Sequence, residues 1–260
     1  MRAYNQSMKI LHKIRHPNGV RTICFCGVKI WSYNSRARSR NFRRLKQRVF
    51  IFDNNGEHEI FYNYQLPDNV RLGGGGKNNI VRIHKNLRAR NVCLTFDKDT
   101  SDNICVLGDS GDCPGLDMIV VFQAGRANKL TVGRRTVING AKIWLGNGSA
   151  LHIGNDCMLS YEIMIRTTDG HAIMDNATGA IINHQRNACI IGNHCWLGLR
   201  TIVNKNAQIP DNTIVASGTV LTGKFVNQHT IIAGNPGRVI RTGVSFSDKS
   251  IYELTQSLPQ

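Results

Sequence analysis

What the 260-residue sequence most conspicuously lacks is acid in its first fifth: residues 1–52 hold no Asp or Glu, against 13 Lys and Arg. The rest of the chain carries 20 basic and 17 acidic side chains, so 13 of the 16 excess positive charges belong to that one segment. A basic segment joined to a nearly neutral body excludes a protein that wraps nucleic acid over its whole surface, and no nucleic-acid partner is expected. No uninterrupted apolar run of about 18 residues occurs, which leaves no candidate transmembrane helix. The stretch Thr22-Ile23-Cys24-Phe25-Cys26-Gly27-Val28 has positive flanks but is too short for a signal-peptide core. Proline is scarce, at 6 residues against 25 Gly, which points to tight corners and not to a proline-rich linker.

Cysteine is present without a framework. Cys24, Cys26, Cys93, Cys105, Cys113, Cys157, Cys189 and Cys195 match neither a zinc-ligand spacing nor a compact disulfide pattern, so the reading is a reducing, cytoplasmic protein that needs no metal. At 41% hydrophobic and 19% charged, the chain is able to bury a sizeable core.

Residues 1–52 form a basic N-terminal segment with weakly amphipathic patches around Met8, Leu11 and Ile14 and around Phe42, Leu45 and Val49. Residues 36–48, dense in Arg, read as a basic helix or a solvated arm. Val49-Phe50-Ile51-Phe52 reads as a strand, followed by the turn Asp53-Asn54-Asn55-Gly56 and by Ile60-Phe61-Tyr62.

Beyond this point a repeat governs the chain. From Ile191 an aliphatic residue recurs at every sixth position: Leu197, Val203, Ile209, Val215 and Leu221. Four residues after each of the first five stands a small side chain: Cys195, Thr201, Ala207, Thr213 and Thr219. The second position of each hexad is mostly small as well, with Gly192, Gly198, Asn204, Pro210, Ala216 and Thr222. A period of six fits neither the 3.6 of a helix nor the spacing of a sandwich; it fits an all-β parallel solenoid whose coil has three flat sides of six residues. The aliphatic fills the narrow interior, the small residue packs beside it, and Gly, Asn or Pro is expected to take the corner conformation. Ile153-Gly154-Asn155-Asp156-Cys157-Met158 and Leu159-Ser160-Tyr161-Glu162-Ile163-Met164 give an upstream block, and Asn78-Asn79-Ile80 lies in irregular early coils.

Between Ile165 and Ile191 the frame breaks. Twenty-six residues separate them, read as one coil of 18 plus eight extra, so a loop is expected within residues 166–189. It carries Asp169, His171, Asp175 and His184, and a polar insertion on a rigid scaffold is where chemistry is expected. The domain reading is therefore 1–52 basic segment, 53–241 solenoid with the insertion, and 242–260 tail.

The stretch Ile191-Gly192-Asn193-His194-Cys195-Trp196-Leu197-Gly198, the hexads to Leu221, and Ala233-Gly234-Asn235-Pro236-Gly237-Arg238-Val239-Ile240-Arg241 resemble the hexapeptide-repeat acyltransferases. Thr168-Asp169-Gly170-His171-Ala172-Ile173-Met174-Asp175 followed by Trp196 is similar to the bacterial polysaccharide O-acetyltransferases, including those of sialic-acid capsules. The resemblance covers roughly residues 130–241 and implies a left-handed parallel β-helix, a homotrimer, and acetyl-CoA lying between neighbouring solenoids. It maps the catalytic histidine onto His171 and the tryptophan of the acceptor and thioester site onto Trp196. Gly170 and Ala172 depart from the bulkier flanks usual in the family.

Acetyl transfer from a thioester to a carbohydrate hydroxyl needs a base, donors for the tetrahedral oxyanion and a scaffold for both substrates. A neutral imidazole suits the first role, with Asp169 or Glu162 open as the group that orients its ring. The bland reading of His171 is an exposed loop histidine, and that of Trp196 is packing at a subunit interface. Gly198, Ser217 and Gly218 would allow CoA to approach the main chain, and Lys224, Arg238 and Arg241 are candidate partners for its phosphates or else solvated surface charges. His84, His152, His184, His194 and His229 have no assigned role.

Other readings are a small-acceptor acetyltransferase acting on a free sugar or amino sugar, a zinc enzyme like the gamma-class carbonic anhydrases, and a non-catalytic solenoid. The zinc signature of two histidines five apart is missing from the relevant region, and the Thr residues sit at inward positions, where no flat binding ladder would place them. The acid-free residues 1–48 are expected to hold the protein peripherally on the anionic cytoplasmic leaflet or to attract an acidic glycan.

Overall fold

The computed structural model describes residues 11–15, 20–25, 28–34, 43–123, 125–184 and 188–256. The chain divides into two units, Met1–Leu45 with Phe61–Gln65, and Lys46–Ile60 with Leu66–Gln260. In the first, Leu11–Arg15, Val20–Phe25 and Val28–Asn34 form a three-stranded antiparallel sheet. Leu11 and Ile14 thus belong to a strand. Met8, Arg36, Arg38, Arg40, Phe42 and Cys26 lie outside the described residues.

The basic helix or arm read over residues 36–48 is corrected at its end. Arg44–Asp53 is a strand in which exposed Lys46 and Arg48 alternate with buried Gln47 and Val49. Alternation of period two places charge on one face of a strand and apolar surface on the other, which no helix would do.

The second unit is nearly all β, and the strands of its coils run parallel. Its first side stacks Ile80–His84, Ile104–Leu107, Lys129–Val132, Ala150–Ile153, Cys189–Ile191 and Gln208–Ile209 upon Arg44–Asp53. The hexads account for the stacking. Ile191 pairs with Ile209, Leu197 with Val215 and Val203 with Leu221, so three hexads make one coil and each aliphatic sits over its counterpart in the next. All six are at most 1% exposed, as are Cys195, Thr201, Ala207, Thr213 and Thr219 beside them. In earlier coils the interior takes larger side chains: Phe96 and Phe122, both fully buried, stack with centroids 4.5 Å apart.

The corner conformation falls elsewhere than expected. The left-handed residues are His194, Arg200, Asn206, Asn212 and Gly218, with φ of 50°, 60°, 65°, 56° and 73°, at the fourth position of each hexad and not the second. For a side chain other than Gly this conformation costs roughly 1–2 kcal/mol, which the coil must offset. Position two is small for a different reason. A Cβ on Gly192 would lie 2.4 Å from an Asp211 carboxylate oxygen and 2.5 Å from the Asp211 nitrogen. Neighbouring coils simply leave no room.

A polar ladder runs through the interior of the early coils. Asn103 donates from Nδ2 to Asn79 Oδ1 at 2.7 Å, Asn128 donates to Asn103 Oδ1 at 2.8 Å, and the Ser149 backbone donates to Asn128 Oδ1 at 3.1 Å. Ser149 and Thr167 share a hydroxyl hydrogen bond, and Thr167 also donates to the Trp144 carbonyl at 3.2 Å. The ladder ends where the insertion begins.

That insertion is larger than the hexad count indicates. Ile165 lies on the third side of its coil and Ile191 on the first side of the next, so they are one side apart, not one coil. Residues bonded across the break, Asn155 and Asn193, are 38 apart, whereas Asn193 and Asp211 in the following coil are 18 apart. The difference, 20 residues, replaces the expected eight.

Gly192→Ala should lower stability by about 1–3 kcal/mol, the usual cost of overpacking. Gly73→Ala, with open space around its Cβ and a φ outside the left-handed region, should cost less than half as much. Urea melts of the two variants check this, and equal losses would contradict the close-approach account.

Candidate functional site

The insertion leaves the solenoid after Ile163–Arg166 and rejoins it at Cys189–Ile191. Thr167 and Thr168 are both still buried, and the Thr168 hydroxyl accepts from Asn147 Nδ2 at 3.0 Å and from the Gly170 backbone at 3.2 Å. Gly170 has φ +83°. Beyond it a short hairpin forms, with Met174 bridged to Ile181 and the Ile182 backbone donating to the Ile173 carbonyl at 2.9 Å. Asp175 caps the turn by accepting from the Ala177 and Thr178 backbones and the Thr178 hydroxyl at 2.7–2.9 Å, and these bonds hold its pKa below the ordinary value.

Between the limbs of the insertion lies a polar cleft of about 290 Å³ lined by Thr168, Asp169, His171, Asn183, His184 and Lys205, among others. His171 is exposed, and no described residue is bonded to its ring. The two acids considered as its orienting partners are engaged elsewhere. Asp169 accepts from Asn183 Nδ2 at 2.8 Å and from Lys205 Nζ. Glu162 accepts from Arg200 Nε at 2.8 Å. Partial burial works against the Asp169 carboxylate, but the bonds from Lys205 and Asn183 and the charges of Lys205 and Arg166 outweigh it, and its pKa is lowered.

Trp196 points outward from the second side, 41% exposed, in a ladder between Met158 and Ile214. Phe246 of the C-terminal segment lies against it with centroids 6.0 Å apart and stacks on His194 at 4.1 Å; His194 Nδ1 is also 3.0 Å from Asn212 Oδ1. Trp196 is not among the residues that line the cleft holding His171. Gly198, Ser217 and Gly218 come together at one corner: a Cβ on Gly198 would lie 2.7 Å from the Ser217 nitrogen, and the Gly218 backbone donates to the Leu199 carbonyl. Lys224 is exposed on the edge that carries the insertion, bridged to Gln208, while Arg238 and Arg241 are exposed on the antiparallel strand Arg238–Thr242 that follows Thr230–Ala233. The three cations thus occupy two edges of the solenoid.

Among the other histidines, His84 is buried, 3.8 Å from an Asp109 carboxylate oxygen and edge-on to Phe52. Cys93, Cys105, Cys113, Cys157, Cys189 and Cys195 are free thiols. Burial pushes the Cys105 and Cys189 thiols up, so both act as small apolar core side chains. Among the described residues no group of three His, Cys, Asp or Glu is arranged to hold a metal ion, and no helix is long and apolar enough to cross a membrane.

The chain is 30% identical over 149 residues to the polysialic acid O-acetyltransferase of Neisseria meningitidis, and 27% identical over 131 residues to that of Escherichia coli O1:K1. These alignments cover 54% and 50% of this chain. The chain resembles the hexapeptide-repeat O-acetyltransferases of bacterial capsules. It spans 62% and 42% of the length of the two relatives. A crystal structure of the polysialic acid O-acetyltransferase OatWY is similar at 23% identity, with a TM-score of 0.47, over 72% of this chain and 97% of that one. No family model matches.

Sequence reasoning missed Asn183 and Lys205. Asn183 lies in the broken frame, and Lys205 stands at the third position of the hexad that opens with Val203, where the pattern fixes no residue type.

A carboxylate whose pKa is lowered on folding binds fewer protons in the folded state, so its contribution is complete above the ordinary aspartate range and fades as pH falls through the lowered value. Acidification should therefore release the amides of residues 170–183 to hydrogen exchange before those of the coils. Asp169→Asn should give the same early release at neutral pH; unchanged exchange in that variant would contradict the role given to its charge.

Proposed function

We propose that the protein is an acetyl-CoA-dependent O-acetyltransferase that modifies a hydroxyl of a bacterial surface carbohydrate: a capsule, an O-antigen or a precursor of either. The observation that carries this reading is an exposed imidazole, His171, in a polar cleft on an insertion into hexad coils that resemble those of two polysialic acid O-acetyltransferases. His171 takes the proton of the acceptor hydroxyl as that oxygen attacks the acetyl carbonyl. The tetrahedral intermediate collapses, the carbon–sulfur bond breaks and CoA leaves as the thiolate. No acyl-enzyme and no metal are required, because the thioester is already activated.

The reading includes a left-handed coil with the insertion extruded from it and a homotrimeric assembly. Two features favour the trimer. His171 and Trp196 stand at different parts of one chain, and apolar side chains are exposed near both, with Ile173, Met174, Ile181 and Ile182 on the hairpin and Ile119, Tyr161, Met164 and Leu199 on the solenoid. A neighbouring copy would bring the hairpin of one chain to the Trp196 face of the next, with CoA between them. Gly198, Ser217 and Gly218 would pass its pantetheine arm, and Arg238 and Arg241, with Lys224 of the other edge, would meet its phosphates. Residues 1–48 would rest on the anionic leaflet, where each basic residue near the surface adds roughly 1 kcal/mol, or would attract an acidic glycan.

The test is to incubate the protein with acetyl-CoA and polysialic acid, other capsules or lipopolysaccharide glycans, follow release of CoA thiol, and map new O-acetyl groups by NMR. His171→Ala should lower turnover by roughly 10²–10⁴ without loss of assembly; near-normal turnover would sink the assignment. Mixing inactive His171→Ala and Trp196→Ala chains after co-refolding should restore about a quarter of the sites if each is shared between two copies of a cyclic trimer. No recovery would place the site within one chain. Deleting residues 1–43, which spares the strand Arg44–Asp53, should release the protein from anionic vesicles while activity on a soluble acceptor survives; undiminished vesicle binding would overturn the membrane role.

A further inference from the structure

His171 sits on a segment that local sequence does little to fix. Gly170 before it has φ +83° and no close neighbour other than the end of Arg166, and Ala172 after it is small and exposed. A base on such a loop would sample many positions, and a displacement of about 1 Å can cost roughly 10²-fold in rate. What fixes it is a relay of hydrogen bonds from the coil beneath. Lys205, in the turn between Ile202–Val203 and Gln208–Ile209, is 20% exposed at its side chain and reaches out of the scaffold to both limbs of the insertion. Its Nζ donates to the Asp169 carboxylate on the outgoing limb and to the Asn183 carbonyl at 2.8 Å on the returning limb.

Asn183 extends the grip to the histidine itself. Its Nδ2 donates to Asp169 Oδ2 at 2.8 Å and to the His171 carbonyl at 2.9 Å, while its Oδ1 accepts from the Ile173 backbone at 2.8 Å. One side-chain amide thus holds the main chain on both sides of Ala172, and one ammonium holds that amide's own backbone to the coil. We propose that Lys205 and Asn183 are positioning residues for His171, joining the main chain that carries the imidazole to the solenoid through Asp169. The inference rests on the general-base reading of His171 and deepens it. It gives Asp169 a new role, as the bridge of this relay and not as the partner of the imidazole ring.

Lys205 has a length and charge suited to the task. A charge-assisted bond to a partly buried carboxylate is about twice as strong as a neutral one, and a Lys head can serve two acceptors at once. A Met at this position keeps the apolar stem and loses both bonds. Arg keeps the charge and recovers at least the bond to Asp169. Asn183→Ala removes the amide grip and leaves Lys205 its carboxylate.

The experiment compares Lys205→Met, Lys205→Arg, Asn183→Ala and His171→Ala in steady-state acetyl transfer to polysialic acid, or to whichever surface glycan the wild type acetylates. Lys205→Met and Asn183→Ala should each lower kcat by roughly 10–100-fold with KM for acetyl-CoA within about twofold of wild type. Melting temperature should stay near wild type, because the insertion lies outside the coils. Hydrogen exchange at Gly170 and Ile173 should quicken in both, and Lys205→Arg should recover part of kcat. Wild-type kcat in Lys205→Met or Asn183→Ala, beside an inactive His171→Ala, overturns this inference alone. Near-normal turnover in His171→Ala overturns the base reading and this one with it. A loss of kcat that tracks a fall in melting temperature, with no rescue by Arg, assigns both residues to stability and also overturns it.

Discussion

The structure depends on one constraint: each coil must lay every interior side chain directly over its counterpart in the coil below. Parallel strands joined in register leave a narrow interior, and only an aliphatic with a small neighbour fills it on each side. The pairing of Ile191 with Ile209, Leu197 with Val215 and Val203 with Leu221 is that constraint written in sequence. Both the close approach at Gly192 and the left-handed residues at the fourth hexad position follow from it, since a flat side of six residues must turn sharply and lie tight against its neighbours.

How much was legible follows from the same constraint. The hexads were readable because every side repeats the same steric problem, so one periodicity predicts both the aliphatic and the small residue beside it. The corner was misplaced because a small residue serves two needs that sequence does not separate: Gly192 is small to avoid Asp211, while His194 turns the chain. The length of the insertion was misread because the hexad says that a residue points inward but not which of three sides it occupies. Ile165 and Ile191 look alike and stand one side apart.

The candidate site was legible only in part. His171 stood out because it interrupts a pattern, and Trp196 because it is a large apolar side chain at an outward position. Contacts that arise from the loop folding against the coil have no periodic signature. Asp169 and Glu162 were both open as partners of the histidine ring, and nothing in the residue pattern signalled that Asp169 bonds Asn183 and Lys205, the latter 36 residues away. The interior Asn79, Asn103 and Asn128 ladder was equally hidden, because the early coils have irregular lengths and its rungs fall at unequal intervals.

The 20-residue excursion leaves the coil and returns to it without altering the pairing above or below. Ile153 meets Ile191 as squarely as Ile191 meets Ile209. The scaffold therefore does not count the residues of the insertion. Its length and tip can change while the exit at Arg166 and the re-entry at Cys189 stay fixed, so the stacking of the coils does not depend on the segment between them.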